Sequence, residues 1–345
     1  MPIELLPSLP QGHHNWGIVL AGGEGKRLQN FLRTEFGKNS PKQFCSIIGK
    51  RSMLKHTIDR AISLIPEKKL MTVICRHHLL HAVEDIVALD PRTVITVPVN
   101  RETAPSILLP LMHINKLDPH AVVAIFPSDH FILQEDLFMD HVNAAFECAV
   151  KNPEYIITLG VSPSGQQPGY GWIEKGDSID GGNGKEIFRV KRFREKPDTE
   201  QMYQLLKEGC LWNTMTLIGS VSRFLQMYEQ CVPELYKNFN QIRNILGTRY
   251  ETEAIFDLFQ TIPSVNFSMT IMEKITHNLA VLPVTNVYWN DWGDENRVRS
   301  DMKRFTKYFH QRNGISERHE EKYFANRLES ATIDLNTEEL QLEEK

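Results

Sequence analysis

The sequence predicts an α/β fold: a doubly wound, mostly parallel sheet with helices on both faces. Three observations carry that prediction. Strand-length apolar runs alternate with amphipathic stretches through the first half of the chain, which is the texture of successive βαβ units. The first run ends in a glycine-rich turn, a tight strand-to-helix corner. With 345 residues, 41% hydrophobic and 24% charged, the composition is that of an ordinary globular protein, long enough to bury roughly three quarters of its unfolded surface without disulfides.

Gly17 to Ala21, Leu70 to Cys75, Thr93 to Val97, Ala121 to Phe126 and Tyr155 to Val161 are short, rich in Val and Ile, and read as buried strands. Between the first two, Leu54, Ile58, Ala61, Ile62 and Ile65 repeat at helical spacing. After the third strand, Thr103 is read as the N-cap of a Leu-rich helix. Beyond Val161, Gly169 to Glu174 and Ile187 to Phe193 flank a loop, Gly176 to Lys185, that holds four Gly. That pattern predicts a twisted hairpin extending the sheet. Helical spacing returns at Ser222 to Gln230 and Thr252 to Phe259, Leu279 to Val284 reads as a late strand, and Glu295 to Gln311 as a polar closing helix.

Charge excludes some functions. The chain has 39 Lys+Arg against 43 Asp+Glu, a net of −4, but the last 17 residues hold six acids and one Lys, net −5, so the body carries +1. A sequence-independent nucleic-acid binder needs a basic stripe to displace counterions, so no nucleic-acid partner is expected. Five widely spaced Cys without a C-x-x-C pair favour a reducing compartment. No signal-like N-terminus and no run of about 18 apolar residues is present, so a cytoplasmic protein without a membrane partner is expected.

The chemistry starts at Leu20-Ala21-Gly22-Gly23-Glu24-Gly25-Lys26-Arg27-Leu28. Glycines let backbone N–H groups approach a phosphate, and the following cations balance its charge. It is not a Walker A loop, because Leu20 stands where the first Gly is needed and Arg27 where Ser or Thr would hold magnesium. It is a poor dinucleotide fingerprint too, since Leu28 replaces the third Gly. Pro41-Lys42-Gln43-Phe44 follows and can return a second cation to the same mouth, although Lys42 alone reads as a surface residue.

Together these segments resemble the signature of the sugar-1-phosphate nucleotidyltransferases, Gly-Gly-x-Gly-x-Arg-Leu and then Pro-Lys-Gln. Further elements follow in that family's order and are similar to its mannose-1-phosphate guanylyltransferase branch: Arg101-Glu102-Thr103-Ala104-Pro105, Phe126-Pro127-Ser128-Asp129-His130, Gly169-Tyr170-Gly171-Trp172-Ile173, Phe193-Arg194-Glu195-Lys196-Pro197, Trp212-Asn213, Met272-Glu273-Lys274 and Trp289-Asn290-Asp291-Trp292-Gly293. Each is weak singly, and the ordered set is a strong joint signal. The resemblance implies a GT-A-like fold with a β-rich sugar-binding extension. It also implies transfer of a nucleotidyl group, GTP favoured, to a sugar-1-phosphate, mannose-1-phosphate favoured, with release of pyrophosphate.

Asp129 closes a buried strand at its C-terminal end, where open α/β sheets place ligands, and a carboxylate there suits a hard cation. The resemblance pairs it with Asp291 as the ligands of Mg²⁺. By the same resemblance, Arg27 and Lys42 are the catalytic cations, and Leu20, Ala21, Gly22, Gly23, Gly25, Arg101, Thr103 and Ser128 bind the nucleotide. Gly171, Glu195, Lys196 and Asn213 then form the sugar-phosphate subsite. The expected partners are two small molecules, and a homodimer is compatible with the pattern.

His77, His78 and His81 are read as a polar helix face, for want of a nearby Cys or a well-placed acid, and His13-His14 as a flexible lead-in. Departures from the family pattern motivate a rival reading, a non-catalytic sugar-nucleotide sensor: Asp294 where Ser or Thr is usual, Met215-Thr216 where Ser-Gly is common, and Gln167-Pro168 where Glu-Thr is frequent. A different hexose or heptose phosphate is the rival substrate. Residues 1–294 are assigned to the catalytic domain, 295–330 to a helical closing segment and 331–345 to an acidic tail. No room is left for the isomerase domain that some members carry.

Overall fold

The computed structural model describes residues 14–181 and 184–305. Its strands are β1 (Asn15–Leu20), β2 (Leu70–Cys75), β3 (Val94–Val97), β4 (Val122–Pro127), β5 (Phe131–Ile132), β6 (Ile156–Val161), β7 (Gly171–Ile179), β8 (Ile187–Glu195), β9 (Leu211–Ser220), β10 (Leu279–Val284) and β11 (Trp289–Asn290). Its α-helices are α1 (Gln29–Phe36), α2 (Met53–Ile62), α3 (Leu79–Ile86), α4 (Thr103–Leu117), α5 (Glu135–Lys151), α6 (Thr199–Lys207), α7 (Val221–Cys231), α8 (Pro233–Ile242), α9 (Glu251–Thr261) and α10 (Glu295–Arg304). The predicted strands and the hairpin stand where the apolar runs place them. The tip of the hairpin, the end of the closing helix beyond residue 305, His13 and the acidic tail lie outside the described residues.

Nine strands form one sheet in the order β3-β2-β1-β4-β9-β6-β10-β8-β7. β1 lies parallel between β2 and β4, with Gly17 opposite Leu70 on one side and Ala124 on the other. β4 and β6 both run antiparallel to β9, β10 runs parallel to β6, and β8 antiparallel to β10 and β7. Only β8 and β9 therefore oppose the common direction. β9 has no alternating pattern because it is central and covered on both faces: Thr214 and Thr216 are buried, and Thr214 Oγ1 donates to Leu159 O at 2.9 Å.

Side-chain alternation divides the core. Ile18, Val73 and Ile125 face one layer with α4, α7, α8 and α9, while Val19, Ile74 and Ala124 face the other with α2, α5 and α6. A third cluster, Leu28, Phe31, Leu32, Cys45, Phe131, Trp292 and Val298, matters most for function. It packs the stretch after the glycine-rich turn, the Pro-Lys-Gln segment, β5 and α10 against one another. Trp292, fully buried, stacks on Phe131 with ring centroids 4.7 Å apart, and its indole N–H donates to Asp301 of α10 at 2.9 Å. α10 is thus packed into the same cluster, and the Asp294 side chain caps its start.

Two local expectations change. α4 starts at Thr103, but the Thr103 hydroxyl accepts from Phe267 N at 2.8 Å instead of capping the helix. His14 is a fixed residue, with Nδ1 2.9 Å from the Asp118 carboxylate.

Candidate active site

The C-terminal ends of the adjacent parallel strands β1 and β4 make the mouth. Ser128 seals them together: its backbone N–H and its hydroxyl both donate to Leu20 O, at 3.2 and 2.6 Å. Gln43 then holds the glycine-rich turn, donating from Nε2 to Ala21 O at 3.2 Å and Gly23 O at 2.6 Å. Gly22 O accepts from Asn100 Nδ2 and from Cys75 Sγ, each at 3.5 Å. Each carbonyl from Leu20 to Gly23 is therefore engaged by the protein, and the Ala21 N–H donates to Val73 O at 2.8 Å, which together fix the course of the turn. Gly25 sits at φ 62°, and a Cβ there would stand 3.0 Å from Lys42 N, so only glycine lets the turn rest on Pro41-Lys42.

Lys42 is not a surface residue; it is 5% exposed. Its ammonium donates to the backbone carbonyls of Asp291 and of Trp292, the latter at 3.2 Å, and pairs with Asp129 Oδ2 at 3.0 Å. Three N–H bonds meet three acceptors, so Lys42 clasps β4's loop to the 291–292 segment. Burial raises the Asp129 carboxyl's pKa, but Lys42 and His130 outweigh it and leave the group below its ordinary value. Trp289 Nε1–H donates to His130 Nδ1 at 3.3 Å, which puts the proton of the neutral imidazole on Nε2, facing Asp129. Burial lowers the His130 pKa, against the pull of Asp129 and Asp291.

Asp291 has partners that sequence reading missed. Its Oδ1 accepts from Tyr170 O–H at 2.7 Å, Gly293 N at 2.9 Å and Arg297 Nη1 at 2.6 Å. Arg297 also donates from Nε to Asp294 Oδ2 at 2.6 Å, so Asp294, a departure from the family pattern, serves as helix cap and as Arg297's second anchor. Burial, then Asp291, pushes the Tyr170 hydroxyl's pKa upward and keeps it a donor. The signals were an (i, i+3) acid–Arg pair and the tyrosine inside the quoted Gly-Tyr-Gly.

A solvent-reached carboxylate at a strand end, such as Asp129, suits a small hard cation such as Mg²⁺, which proteins hold through one or two carboxylates plus substrate phosphates. The Asp129 side chain is 40% exposed and open to such an ion, whereas the Asp291 carboxylate is 14% exposed, has Oδ1 committed to three donors and is ion-paired to Arg297. Asp129 fits such an ion, and Asp291 would join it only through Oδ2.

On the hairpin side, Gly171 permits close approach: a Cβ there would meet Glu195 Oε2 at 2.8 Å. Burial, and Glu273 after it, raises the Glu195 pKa against Lys196; Lys196 Nζ lies 3.8 Å from Glu195 Oε1. Asn213 is committed inward. It is 5% exposed, and its Oδ1 accepts from Thr158 Oγ1 at 2.8 Å and Met215 N at 3.0 Å, leaving Nδ2 facing only the Met272 sulfur at 4.0 Å. Arg101 is likewise turned away: its guanidinium donates to Phe259 O and Gln260 O at the end of α9. Glu102, Lys196, Met215 and Trp292 all carry positive φ, and such strain concentrates where function over-determines the backbone.

Two connected cavities result. One, about 430 Å³, is lined by Leu20, Gly22, Thr103, Ser128 and Met215; the other, about 350 Å³, by Lys26, Arg27, Lys42 and Gly293; Glu24 and Asp129 belong to both. A larger cleft of about 880 Å³ opens along β3 and α9 and shares no lining residue with either. We place the site at the smaller pair, where the polar groups converge.

Residues 16–305 match the family model described as nucleotidyl transferase. The chain belongs to that family. Among curated relatives it is 31% identical over 284 residues to mannose-1-phosphate guanylyltransferase RfbM of Salmonella typhimurium, covering 80% of this chain and 56% of that protein. It is 31% identical over 289 residues to the mannose-1-phosphate guanylyltransferase of Salmonella muenchen, covering 80% and 57%. The chain thus spans little more than half the length of these relatives. Among solved structures it resembles a Thermus thermophilus protein titled mannose-1-phosphate geranyltransferase, with TM-score 0.71 and 20% identity, covering 83% and 79% of the two chains. A Helicobacter pylori protein titled mannose-6-phosphate isomerase gives TM-score 0.62 and 21% identity, covering 80% and 99%. The fold is that of the nucleotidyltransferases, and among the described residues no helix is long and apolar enough to cross a membrane.

Proposed function

We propose that this nucleotidyltransferase moves a guanylyl group from GTP to mannose-1-phosphate, giving GDP-mannose and pyrophosphate. The observation that carries the reaction class is the Lys42 clasp, which draws Asp129 and the Asp291 segment together beside a turn whose carbonyls are already engaged. Mannose and guanine come from the named relatives.

An anionic phosphate oxygen of the sugar phosphate attacks the α-phosphorus. As that P–O bond forms, the bond from the α-phosphorus to the bridging oxygen breaks, and its electron pair leaves with pyrophosphate. The attacking oxygen is already ionised, so no protein base or nucleophile is required. Catalysis is positioning and charge stabilisation. Lys26 and Arg27, both exposed at the mouth, meet the β- and γ-phosphates. The backbone of the turn cradles the triphosphate, and Glu195 and Lys196 hold the sugar phosphate. Mg²⁺ on Asp129 and Asp291 would neutralise the triphosphate and lend it a rigid geometry.

The test is pyrophosphate release across a matrix of nucleoside triphosphates and sugar-1-phosphates with magnesium. GTP with mannose-1-phosphate is expected to turn over fastest. Faster turnover of another pair overturns the specificity, and silence across the matrix overturns the activity.

A further inference from the structure

We propose a second metal site, for a borderline divalent ion of the zinc class, built from Glu24, Cys75 and His77 where the glycine-rich turn crosses the end of β2. It is independent of the substrate reading above. A carboxylate oxygen of Glu24, Sγ of Cys75 and a ring nitrogen of His77 all lie within 4.8 Å of one another, and Glu24 Oε1 is already 3.2 Å from His77 Nε2. Zinc bonds of about 2.0–2.3 Å set tetrahedral ligand atoms about 3.3–3.8 Å apart. Small rotations of Glu24 and of His77, whose side chain is 51% exposed, close the set.

The donors are of a different kind from those at Lys42. A thiolate and an imidazole select a softer ion than two carboxylates do, so Mg²⁺ and this ion do not compete. On binding, the Cys75 S–H bond is replaced by a sulfur–metal bond and the proton passes to solvent. The thiol then gives up its long contact with Gly22 O. A second contact brings another ring nitrogen to the same carboxylate: His78, 3% exposed and next in sequence to His77, has Nε2 3.9 Å from Glu24 Oε2. Cys75 and Glu24 are the sulfur and the acid that reading the histidines alone did not supply. Because Glu24 lines both cavities of the mouth, an ion here pins the turn that carries Lys26 and Arg27.

The experiment is titration of the full chain, reduced and in excess Mg²⁺, with Co²⁺ followed by near-ultraviolet absorption and with Zn²⁺ followed by calorimetry. One equivalent of Co²⁺ is expected to give a thiolate-to-cobalt charge-transfer band that Zn²⁺ abolishes. His77→Ala, a surface change, should weaken Zn²⁺ binding by at least about 10-fold, Cys75→Ser should remove the band, and Asp129→Asn should leave both unchanged. Absence of the band in the wild-type chain overturns the site. So does wild-type affinity in His77→Ala, which decides the matter if Cys75→Ser does not fold. Loss of Zn²⁺ affinity in Asp129→Asn overturns it as well, by placing the ion on the carboxylate that pairs with Lys42, and so does a band that survives Cys75→Ser.

Discussion

Lys42→Met tests the clasp directly, because it keeps the stem's volume and removes only the ammonium. At 3.0 Å the Coulomb attraction to Asp129 is about 5 kcal/mol at an effective dielectric of about 20. Solvent reaches 40% of Asp129, so most of that is offset by hydration the pair gives up on forming. What remains is the penalty of leaving a partly buried carboxylate and two backbone carbonyls without their donor, together about 2–4 kcal/mol. For a chain of this size that is a fall in Tm of roughly 3–6 °C. Asp129→Asn on the same background removes the uncompensated charge. The double variant should therefore be more stable than the sum of the singles by about 1–3 kcal/mol. Urea unfolding of the four proteins measures the cycle, and pyrophosphate release should fall by about 10²-fold or more in Lys42→Met. A wild-type Tm in Lys42→Met, or strict additivity in the cycle, would show that the ammonium does not hold the two segments together.

Gly25→Ala puts a Cβ at φ 62°, 3.0 Å from Lys42 N, and should cost about 1–2 kcal/mol while raising the KM for the nucleotide; an unchanged KM would detach the turn from binding. Asn213→Ala strands Thr158 Oγ1 and Met215 N, so unfolding should show a loss of about 1–3 kcal/mol, larger than any change in sugar-phosphate KM; the reverse ranking would make Asn213 a sugar contact. Burial raises the Glu251 pKa, but the His113 contact outweighs it and leaves the group below 4.5. Between the folded and unfolded pKa values the unfolded chain binds more protons, so this contribution is complete above about pH 4.5 and is lost as pH falls through the folded value. Glu251→Gln should accordingly flatten the acid limb of a plot of Tm against pH, and an unaltered limb would refute the pairing.

Legibility from sequence followed contiguity. The glycine-rich turn and Ser128-Asp129 were readable because each lies within a few residues at the end of a hydrophobic run, and Pro41-Lys42-Gln43 because it is a contiguous motif. Their partnerships were not, since Lys42 meets Trp292 across 250 positions and Tyr170 meets Asp291 across 121. Asn213 shows the opposite: a polar residue inside a quoted motif, it is buried and holds β9, while the Arg101 side chain is spent on the carbonyls that end α9. β9 itself carries motif residues and buried threonines in place of alternation, because a central strand packed on both faces has no solvent side to mark with polar residues.

The pairing pattern also decides where the charge that meets a triphosphate comes from. Asp129 is matched by Lys42, Asp291 by Arg297, Glu195 by Lys196 and Glu24 by His77. Each of the first two pairs has a member that also hydrogen-bonds the backbone of the 291–293 segment, Lys42 to its carbonyls and Asp291 to the Gly293 N–H, so they act first as scaffold. Among the described residues no carboxylate within ion-pair distance matches Lys26 or Arg27, which stand exposed at the end of the cradle. A polyanion entering the mouth therefore meets two exposed cations before it reaches any buried one. Removing them should weaken nucleotide capture in a salt-dependent way, whereas removing Lys42 should damage the chemistry and the fold together. Comparing the salt dependence of KM in Lys26→Ala and Lys42→Met separates the two: a flattened salt slope is expected only in Lys26→Ala, and equal slopes would mean that buried and exposed cations share the task of capture.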